Sequence, residues 1–477
     1  MSAHVPFDAA VVGSGPNGLC AAIVLARAGL SVVVYESRAT IGGGARTAEL
    51  TLPGFRHDIC SSIYPMAIGS PFMRTLPLSE HGLEWIHPPV PLAHPLDLEP
   101  PILLERAIDT TASHLGEDAP RYTRMMTPFV TRWEDLAADA MAPLGVPAHP
   151  WLMGRFGLQA FRSATSLAQS AFRGARARAL LAGLAAHSVL PLDVMPSSAI
   201  GLMLGYAAHA VGWPMPRGGA QQLSESLASL LRALGGVIRT DTRITIIDEV
   251  ETNGPIMFDI SPYHLATIAA SSLPEGYCRR LRTYRYGPGV FKVDWALDAP
   301  VPWRNAACAQ AGTVHLGGTC ETIAASERAA WECRYVDQPY VLFAQHSLFD
   351  ATRAPAGKHT AWAYCHVPNG STRDMTAIVE DQVERYAPGF RDCILACHTM
   401  HAMDYEAYND NYIGGDINGG APILSQLFTR PLVRINPYTT PNRRLYLCSA
   451  ATPPGGGVHG MCGVYAANAV LKRWRGR

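Results

Sequence analysis

The sequence predicts an α/β fold: a Rossmann-like dinucleotide-binding domain, a discontinuous α+β domain and a helical cap. Three glycine-rich turns predict it. One follows the first apolar run, a second lies close behind it, and the third sits at a strand-to-helix junction near the end of the chain. Parallel α/β domains bind nucleotides at such strand-to-helix turns. The nucleotide domain is therefore expected to draw on both ends of the chain.

The first turn has the order strand, glycine-rich loop, helix, strand and acid. Gly13 permits the tight turn, Gly15 lets the backbone approach a pyrophosphate, and Gly18 lets the helix pack closely on the strand. Glu36 ends the β-branched second strand and is placed to accept hydrogen bonds from a ribose diol. This context disfavours a turn that binds nothing. The predicted contacts are Gly13, Gly15, Pro16, Asn17, Gly18, Glu36, Ser37 and Arg38.

The second turn distinguishes FAD from NAD. Residues 41–47 are glycine-rich and lie directly behind Glu36, where a plain NAD domain needs no such loop. The turn resembles the loop that runs along the pyrophosphate and ribityl chain in FAD enzymes of the glutathione-reductase-like superfamily. Arg46 or Arg38 is a candidate to offset phosphate charge, the alternative being a surface ion pair. The predicted contacts are Gly43, Gly44, Ala45 and Arg46.

The third turn joins an apolar strand at 445–450 to a helix predicted from Val464. A helix N-terminus at the flavin pyrimidine edge would stabilise the negative charge of the reduced ring. Gly460 and Met461 are predicted to make this contact. His459 is predicted near the isoalloxazine, the alternative being a polar turn residue. The predicted contacts are Ala450, Val458, His459, Gly460 and Met461.

A middle segment is predicted to return the chain to the nucleotide domain. A helix over 223–234 ends at two glycines, and the runs 237–240 and 244–247 have strand character. The backbone around Ile244 is expected to touch adenine. The predicted FAD-binding domain comprises 1–70, 235–265 and 436–477. The predicted substrate domain comprises 71–234 and 266–435, with the cap at 120–215.

These motifs resemble the phytoene desaturase-like flavoprotein family, which includes carotenoid desaturases, retinol saturase and a mitochondrial pyridine nucleotide-disulphide oxidoreductase domain-containing protein. The resemblance is carried by residues 11–36, IGGGART (41–47), the segment 212–236 and LYLCSAATPPGGGVHGMCG (445–463). Segments 291–303 and 349–368 look like the mitochondrial-type subgroup. The fold implied is the amine-oxidase/phytoene-desaturase type of FAD domain.

The resemblance implies one non-covalent FAD and hydride transfer between flavin N5 and a carbon chain. The implied substrate is a hydrophobic polyene or lipid-like molecule in an apolar tunnel, and the electron acceptor is oxygen, a quinone or a nicotinamide. The amine-oxidase pattern has an Arg after the two glycines and an acid in the last motif. This chain has Gly44 and Ser449-Ala450-Ala451 instead. A flavin oxidase for an amine or a natural-product ring, and a flavin-binding assembly protein without turnover, remain alternatives.

Catalytic candidates come from polar residues in apolar surroundings. Lys292 lies in an alternating strand and would reach flavin N5 through a water, unless that strand face is solvated. His315 and His366 lie in strand-like runs, where the alternative is a core histidine. Tyr64, with His57-Asp58 before it, is a candidate for the mouth of the active site. Hydride transfer depends mainly on position and electrostatics, so a dedicated base is not required.

Composition limits the partners. The 477 residues carry 39 basic and 39 acidic side chains, which argues against a nucleic-acid binder, and 48% hydrophobic content argues against disorder. Eleven cysteines without a CxxC pair fit a reducing cytoplasm, and neither a secretory signal nor a spanning segment is apparent. Cys393, Cys397, His398 and His401 have metal-like spacing, and a helix would place the cysteines on one face. No metal is expected, because no second ligand pair occurs.

Residues 140–192 contain no acid and five arginines interleaved with aromatic residues. The functional interpretation is a basic amphipathic surface that docks peripherally on anionic lipid and admits an apolar substrate. The alternatives are a helical cap whose apolar face is core, which is favoured, and a homo-oligomer interface. The apolar segment 199–213 is too short to span a membrane and is predicted to line the core or the tunnel.

Overall fold

The computed structural model describes residues 7–97, 99–427 and 429–474. The ends of the predicted FAD domain, 1–6 and 475–477, lie outside the described residues. The strands are β1 (Ala9–Val12), β2 (Val32–Tyr35), β3 (Thr47–Glu49), β4 (Arg56–Asp58), β5 (Trp85–Ile86), β6 (Val90–His94), β7 (Ile102–Leu104), β8 (Met215–Pro216), β9 (Val237–Arg239), β10 (Ile256–Phe258), β11 (Gly289–Leu297), β12 (Ala311–Leu316), β13 (Val341–Ala344), β14 (His359–Val367), β15 (Ile394–Met400) and β16 (Leu445–Leu447).

Helices alternate with these strands and form the cap. They are α1 (Pro16–Arg27), α2 (Pro65–Ile68), α3 (Ile108–Ser113), α4 (Ala119–Val130), α5 (Trp133–Ala140), α6 (Pro150–Ala160), α7 (Ala164–Ala171), α8 (Ala175–Ala186), α9 (Ser198–Ala210), α10 (Gln221–Ala233), α11 (Pro262–Ile268), α12 (Glu275–Arg282), α13 (Cys320–Trp331), α14 (Thr376–Tyr386), α15 (Ala402–Tyr408), α16 (Leu424–Leu427) and α17 (Met461–Trp474). Among the residues described, no helix combines the length and apolarity needed to cross a membrane.

A five-stranded parallel sheet carries the first site. Its strand order is β16-β10-β1-β2-β9, so strands from widely separated parts of the chain lie side by side. β1 and β2 are buried along their whole length, as expected for a parallel sheet covered by helices on both faces. The carboxyl ends of neighbouring strands meet at one edge, so the turns after β1, β2, β10 and β16 come together there.

A seven-stranded, mostly antiparallel sheet forms the second layer, in the order β15-β11-β14-β13-β12-β6-β7. β11 is buried at every position, including Lys292, so the expectation of a possibly solvated strand face is wrong. One side of this sheet packs on Val379 and Val383 of α14 and, through Trp295, on Phe390 just after that helix. The other side carries Lys292, which lies opposite Tyr364 of β14.

The structure corrects three sequence expectations. Residues 244–247 are not a strand: the Glu249 carboxylate accepts hydrogen bonds from the backbone N–H groups of Thr245 and Ile246 and closes a turn there. The helix after the last turn begins at Met461 rather than Val464. Cys397 lies on the edge strand β15, with Cys393 just before it, so the two cysteines do not share a helix face.

The acid-free stretch 140–192 forms three helices, α6, α7 and α8, rather than one amphipathic face. Leu152 and Phe156 of α6 are buried, while Trp151 and Leu158 of the same helix are 91% and 80% exposed. α6 is therefore apolar on two sides. The predicted apolar segment becomes α9, and its residue Tyr206 stacks on Phe129 of α4 at a ring distance of 4.8 Å.

Candidate functional site

One cavity of about 950 Å³ runs from the edge of the parallel sheet into the cap. Its lining has two chemically different parts. The part we call the nucleotide arm is made by the turns of the parallel sheet, at 12–17, 35–38, 43–46, 242–245, 259–261 and 449–451. The part we call the apolar arm is made by the cap and the second sheet, and includes Ile63, Met66, Phe156, Met203, Trp213 and Leu342.

The first turn of the nucleotide arm is held in a shape that side chains would prevent. Gly13 has φ +102°, a conformation that favours glycine. A Cβ on Gly18 would lie 2.2 Å from the Gly13 carbonyl oxygen. α1 begins at Pro16, whose missing N–H costs nothing in the first helical turn. Gly18 does not line the cavity, and its role here is the close packing of helix on turn.

Asp259 is the main residue of this arm that sequence reasoning missed. It follows β10, lines the cavity, and accepts a hydrogen bond from the Gly18 N–H at 2.9 Å. A Cβ on Gly15 would lie 2.6 Å from Asp259 Oδ2. Burial raises the pKa of Asp259 to about 7. The only sequence signal was an acid directly after a short apolar run.

Glu36 forms the second anchor of the arm. Its Oε2 accepts from the Ser14 hydroxyl at 2.5 Å, and its Oε1 accepts from the Arg38 N–H at 2.9 Å. Arg46 lies 3.2 Å from Oε1, and both side chains of this ion pair are buried. The expectation of a surface ion pair is therefore wrong for Arg46. For Arg38 a partly exposed pair with Asp410 is present, at 3.6 Å.

The second glycine turn lies against the first. A Cβ on Gly43 would lie 3.2 Å from Gly15 Cα, and one on Gly44 would lie 2.0 Å from the Tyr412 hydroxyl. The Tyr408 hydroxyl donates to the Gly43 carbonyl at 2.9 Å. Tyr408 and Tyr412, which were not predicted, thus fix this turn from the side of α15.

Most of the predicted cofactor contacts line the cavity, and a few do not. The lining includes Gly13, Gly15, Pro16, Asn17, Glu36, Ser37, Arg38, Gly43, Gly44, Ala45, Arg46, Ile244, Ala450, Val458 and His459. Gly460 and Met461 do not line it. A Cβ on Gly460 would lie 2.5 Å from Cys20 Sγ, so this glycine serves the packing of α17 on α1. A role of Gly460 and Met461 at the flavin stays a prediction.

Several features of the lining of the nucleotide arm suit a bound dinucleotide. Asn17 Oδ1 is buried in the lining and has no hydrogen-bond partner among the described residues. The first turn of α1 presents backbone N–H groups and the positive end of the helix dipole, a setting that suits a phosphate. The glycines of both turns leave the backbone open to close approach. Residues 242–245, beyond Glu36, continue the lining where an adenosine would extend.

None of the four catalytic candidates lines the cavity. Tyr64 is buried, shares a hydrogen bond with Ser61 at 2.8 Å, and has a pKa raised well above its usual range by burial. His366 Nδ1 lies 2.7 Å from Glu327 in a buried pair. His315 is fully buried. Lys292 forms a buried ion pair with Asp294, and its Nζ lies 5.3 Å from the Trp362 ring centre.

A buried charged cluster stands behind the cavity wall. Asp294 lies 3.5 Å from His57, and Asp58 lies 3.0 Å from Arg353. Burial lowers the pKa of His57 to about 3 and raises that of Asp294 to about 6. His57 and Asp58 were expected at the active-site mouth, and they belong instead to this cluster.

His187, which was not selected from the sequence, is the histidine that faces the apolar arm. It caps the C-terminus of α8, lines the cavity and is half-buried. Its Nε2 lies 3.0 Å from His315 Nε2, so the predicted His315 stands directly behind it. Burial lowers the pKa of His187 to about 3. Trp362 and Tyr364 complete this wall as a parallel pair, with ring centres 5.9 Å apart.

Comparison with known proteins agrees with this architecture. A family profile described as an NAD(P)-binding Rossmann-like domain matches residues 11–76. The rat (Rattus norvegicus) pyridine nucleotide-disulfide oxidoreductase domain-containing protein 2 is 26% identical over 98% of this chain and 93% of its own length. Similarity therefore extends through the second sheet and the cap as well as the nucleotide domain.

Two solved structures show the same fold. An oxidoreductase from Methanosarcina mazei has a TM-score of 0.67 at 15% identity, covering 97% of this chain and 99% of its own. A putrescine oxidase bound to putrescine has a TM-score of 0.62 at 17% identity, covering 99% of each chain. The chain thus has a Rossmann-like nucleotide-binding domain, and its overall fold is that of the Methanosarcina mazei oxidoreductase and of putrescine oxidase.

Proposed function

We propose that this chain is an FAD-dependent oxidoreductase of the phytoene desaturase-like type that dehydrogenates or saturates a C–C bond of a hydrophobic substrate. The observation that carries the proposal is the single cavity, in which a nucleotide arm built from glycine turns continues into an arm walled by apolar side chains. Cavities that place a cofactor beside an apolar compartment suit substrates with little hydrogen-bonding capacity.

FAD fits the nucleotide arm better than a nicotinamide dinucleotide does. Glu36 supports the ribose end, and the start of α1 with Asn17 faces the position of the pyrophosphate. The second glycine turn and residues 453–459 extend the lining beyond that point, which gives room for an isoalloxazine. Bound FAD would accept or donate the hydride equivalent.

The residues of the apolar arm orient the substrate and exclude water. Ile200, Met203 and Leu204 of α9 line the cavity together with Trp362 and Tyr364 of β14. Such walls offer an apolar chain dispersion contacts and desolvation, at about 25 cal/mol for each Å² of apolar surface buried. His187 supplies the arm with a titratable group that can exchange a proton with the substrate.

An amine substrate is the second candidate, favoured by the putrescine oxidase fold and by the Trp362–Tyr364 pair, whose faces attract cations. The side chains behind that pair oppose it. Lys292, paired with Asp294, already places its ammonium 5.3 Å from the Trp362 ring centre and so occupies part of the ring face that a second cation would need. A flavin-binding assembly protein without turnover is the third candidate.

The anaerobic holoprotein separates the three candidates. Purified protein is expected to show a flavin absorption spectrum and to release FAD on denaturation. An apolar donor with a saturated C–C bond should reduce the flavin. In the reverse direction, NADPH should reduce the flavin and a polyene should then reoxidise it. Bleaching by amines alone would establish the second candidate. A flavin that no donor reduces at a catalytic rate would establish the third, and protein that binds no flavin would refute the proposal.

We further propose that the mouth of the apolar arm docks on anionic lipid. Leu144 and Val146 line the cavity and are 73% and 97% exposed, and Trp151 and Leu158 lie on the outer face of the adjacent α6. Arg155 is exposed on that face too, and the absence of acids from 140–192 leaves it unopposed within the stretch. Interfacial surfaces combine Trp and Leu with basic side chains in this way. A second copy of the chain is the alternative occupant.

A further inference from the structure

His187 belongs to a row of histidines that runs away from the cavity. His187 Nε2 lies 3.0 Å from His315 Nε2, and the rings of His315 and His94 meet edge to face with centres 6.3 Å apart. His94 and His315 lie on the neighbouring strands β6 and β12. Only His187 lines the cavity; the other two are fully buried.

The protonation of His94 is fixed by a backbone carbonyl. His94 Nε2 lies 2.8 Å from the Gly318 carbonyl oxygen, which can only accept a hydrogen bond. The proton of His94 therefore sits on Nε2. Burial lowers the pKa of His94 to about 4, so the ring is neutral near pH 7 and its Nδ1 is a bare acceptor.

A glycine of α8 lies beside both buried rings. His94 Nδ1 and His315 Nδ1 are both buried without a hydrogen-bond partner in the described part of the chain. A Cβ on Gly183 of α8 would lie 3.0 Å from the first nitrogen and 2.9 Å from the second. Buried polar atoms are satisfied by protein or by ordered water, and a water needs two or more polar partners.

We propose that one water bridges His94 Nδ1 and His315 Nδ1 beside Gly183, and that this bridge makes His187 present a bare Nδ1 to the cavity as a base. The water donates to His94 Nδ1 and accepts from an N–H at His315 Nδ1. His315 Nε2 is then bare and accepts the Nε2–H of His187. The opposite arrangement, with the water donating to both rings, would leave the water oxygen without a donor from either ring.

This inference rests on the proposed function and deepens it. When a C–C double bond forms, one carbon loses a hydride equivalent to bound FAD and the neighbouring carbon loses a proton. The neutral His187 Nδ1 takes that proton from the carbon that has become acidic through hydride loss. His187 is therefore the catalytic residue, while His315 and His94 are positioning residues that act through it.

The tautomer of His187 tests the inference without any substrate. In the holoprotein labelled with ¹⁵N at its imidazoles, long-range ¹H–¹⁵N correlation at pH 7 should show His187 protonated at Nε2 and bare at Nδ1, with His187→Asn giving the assignment. Diethyl pyrocarbonate should modify His187, with the site read by mass spectrometry. A proton on Nδ1 of His187 in the unmodified protein would overturn the inference.

Gly183→Ala tests the bridge, because its methyl group would press against both Nδ1 atoms and hinder a water between them without removing a ring. Loss of one hydrogen bond should slow modification of His187 by about fivefold and shift part of the His187 population to the Nδ1–H tautomer. His94→Leu removes one of the two rings that hold the water, and it should give the same slower modification and the same tautomer shift. It replaces Gly183→Ala in the test if that variant does not fold. Gly154→Ala, a helix glycine with nothing within 4 Å of its Cβ position, is the matched control.

Unchanged reactivity and tautomer in both Gly183→Ala and His94→Leu would also overturn the inference. These readouts are independent of turnover. A failure of the proposed function would leave the His187 tautomer as stated and appear only as a flavin that no apolar donor reduces. A failure of the bridge would instead leave flavin reduction intact in Gly183→Ala.

Discussion

The two arms of the cavity are specified in different ways. The nucleotide arm is local: each turn is a short run of residues whose glycines, acid and helix start can be identified from the sequence. The apolar arm is assembled from α6, α8, α9, β12, β13 and β14, which lie far apart along the chain. The binding groups of a turn come from adjacent residues, so they are set by the local sequence. The wall of the apolar arm forms only when elements distant in sequence pack together. Single substitutions in the nucleotide arm are therefore expected to have large effects on stability or FAD binding. Single substitutions in the apolar arm are expected to have smaller effects.

The largest expected effect is the loss of stability when the buried Glu36–Arg46 ion pair of the nucleotide arm is broken. Arg46→Gln leaves the Glu36 carboxylate without its cation, although the Ser14 hydroxyl and Arg38 N–H still donate to it. An uncompensated buried charge destabilises by about 3–5 kcal/mol. Denaturant unfolding of the apoprotein measures this loss. Arg217→Gln, which breaks the solvent-exposed pair with Glu84, is the control and should leave stability nearly unchanged.

The next largest effect is on the close approach of the turn to Asp259. Gly15→Ala places a Cβ 2.6 Å from Asp259 Oδ2, and relieving the overlap should cost about 1–3 kcal/mol of FAD binding, or about fivefold to 150-fold in Kd. Fluorescence titration of the apoprotein with FAD measures it. Gly276→Ala, a helix glycine with open space around it, should bind FAD normally. Unchanged affinity in Gly15→Ala would contradict the geometry.

A smaller effect is the pH dependence of FAD affinity. The pKa of Asp259 is about 7, so the carboxyl is protonated below that pH and charged above it. A charged carboxylate beside the diphosphate weakens binding. Affinity should rise as pH falls from 8 to 6, by at most about tenfold per unit. Asp259→Asn should bind FAD with little change over this range. Equal pH dependence in both proteins would assign the titration to another group.

The smallest effects belong to the outer surface of the apolar arm. Val146→Ser and Trp151→Ser should each reduce co-sedimentation with vesicles containing phosphatidylserine, by about 1–2 kcal/mol. Ile435→Ser removes an apolar side chain that is equally exposed elsewhere and should have no effect. Sedimentation equilibrium distinguishes the alternative. A concentration-dependent dimer that Trp151→Ser dissociates, with no vesicle binding by the unmodified protein, would assign the surface to a second copy.

The sequence predicted the local turns of the site better than the contacts between distant segments. Gly13, Gly15, Glu36 and the second glycine turn were found because their spacing is tied to a backbone shape. Asp259 was missed although its segment, 235–265, was predicted to return to the nucleotide domain, because nothing in the sequence shows which residue of that segment meets Gly18, 241 residues away. Such long-range contacts are set by sheet order, which a single sequence does not reveal.

The catalytic candidates show the limit more sharply. His315 and His366 were selected for their strand context, yet neither reaches the cavity. His187 reaches it and had no signal beyond its place at the end of an Ala- and Leu-rich helix. Lys292 was placed correctly on an alternating strand, but its burial beside Asp294 depends on β14 and β15 covering both sides of that strand. Which polar residue faces a cavity is decided by packing.

The joining of the two arms is tested most directly by titrating the oxidised holoprotein with a colourless long-chain isoprenoid such as squalene. The flavin absorption bands should shift and saturate, because the apolar chain enters next to the isoalloxazine and displaces water. Met203→Trp, which narrows the apolar arm, should weaken this response while leaving FAD bound. A flavin spectrum that no apolar ligand perturbs, or a response that Met203→Trp leaves unchanged, would contradict the account.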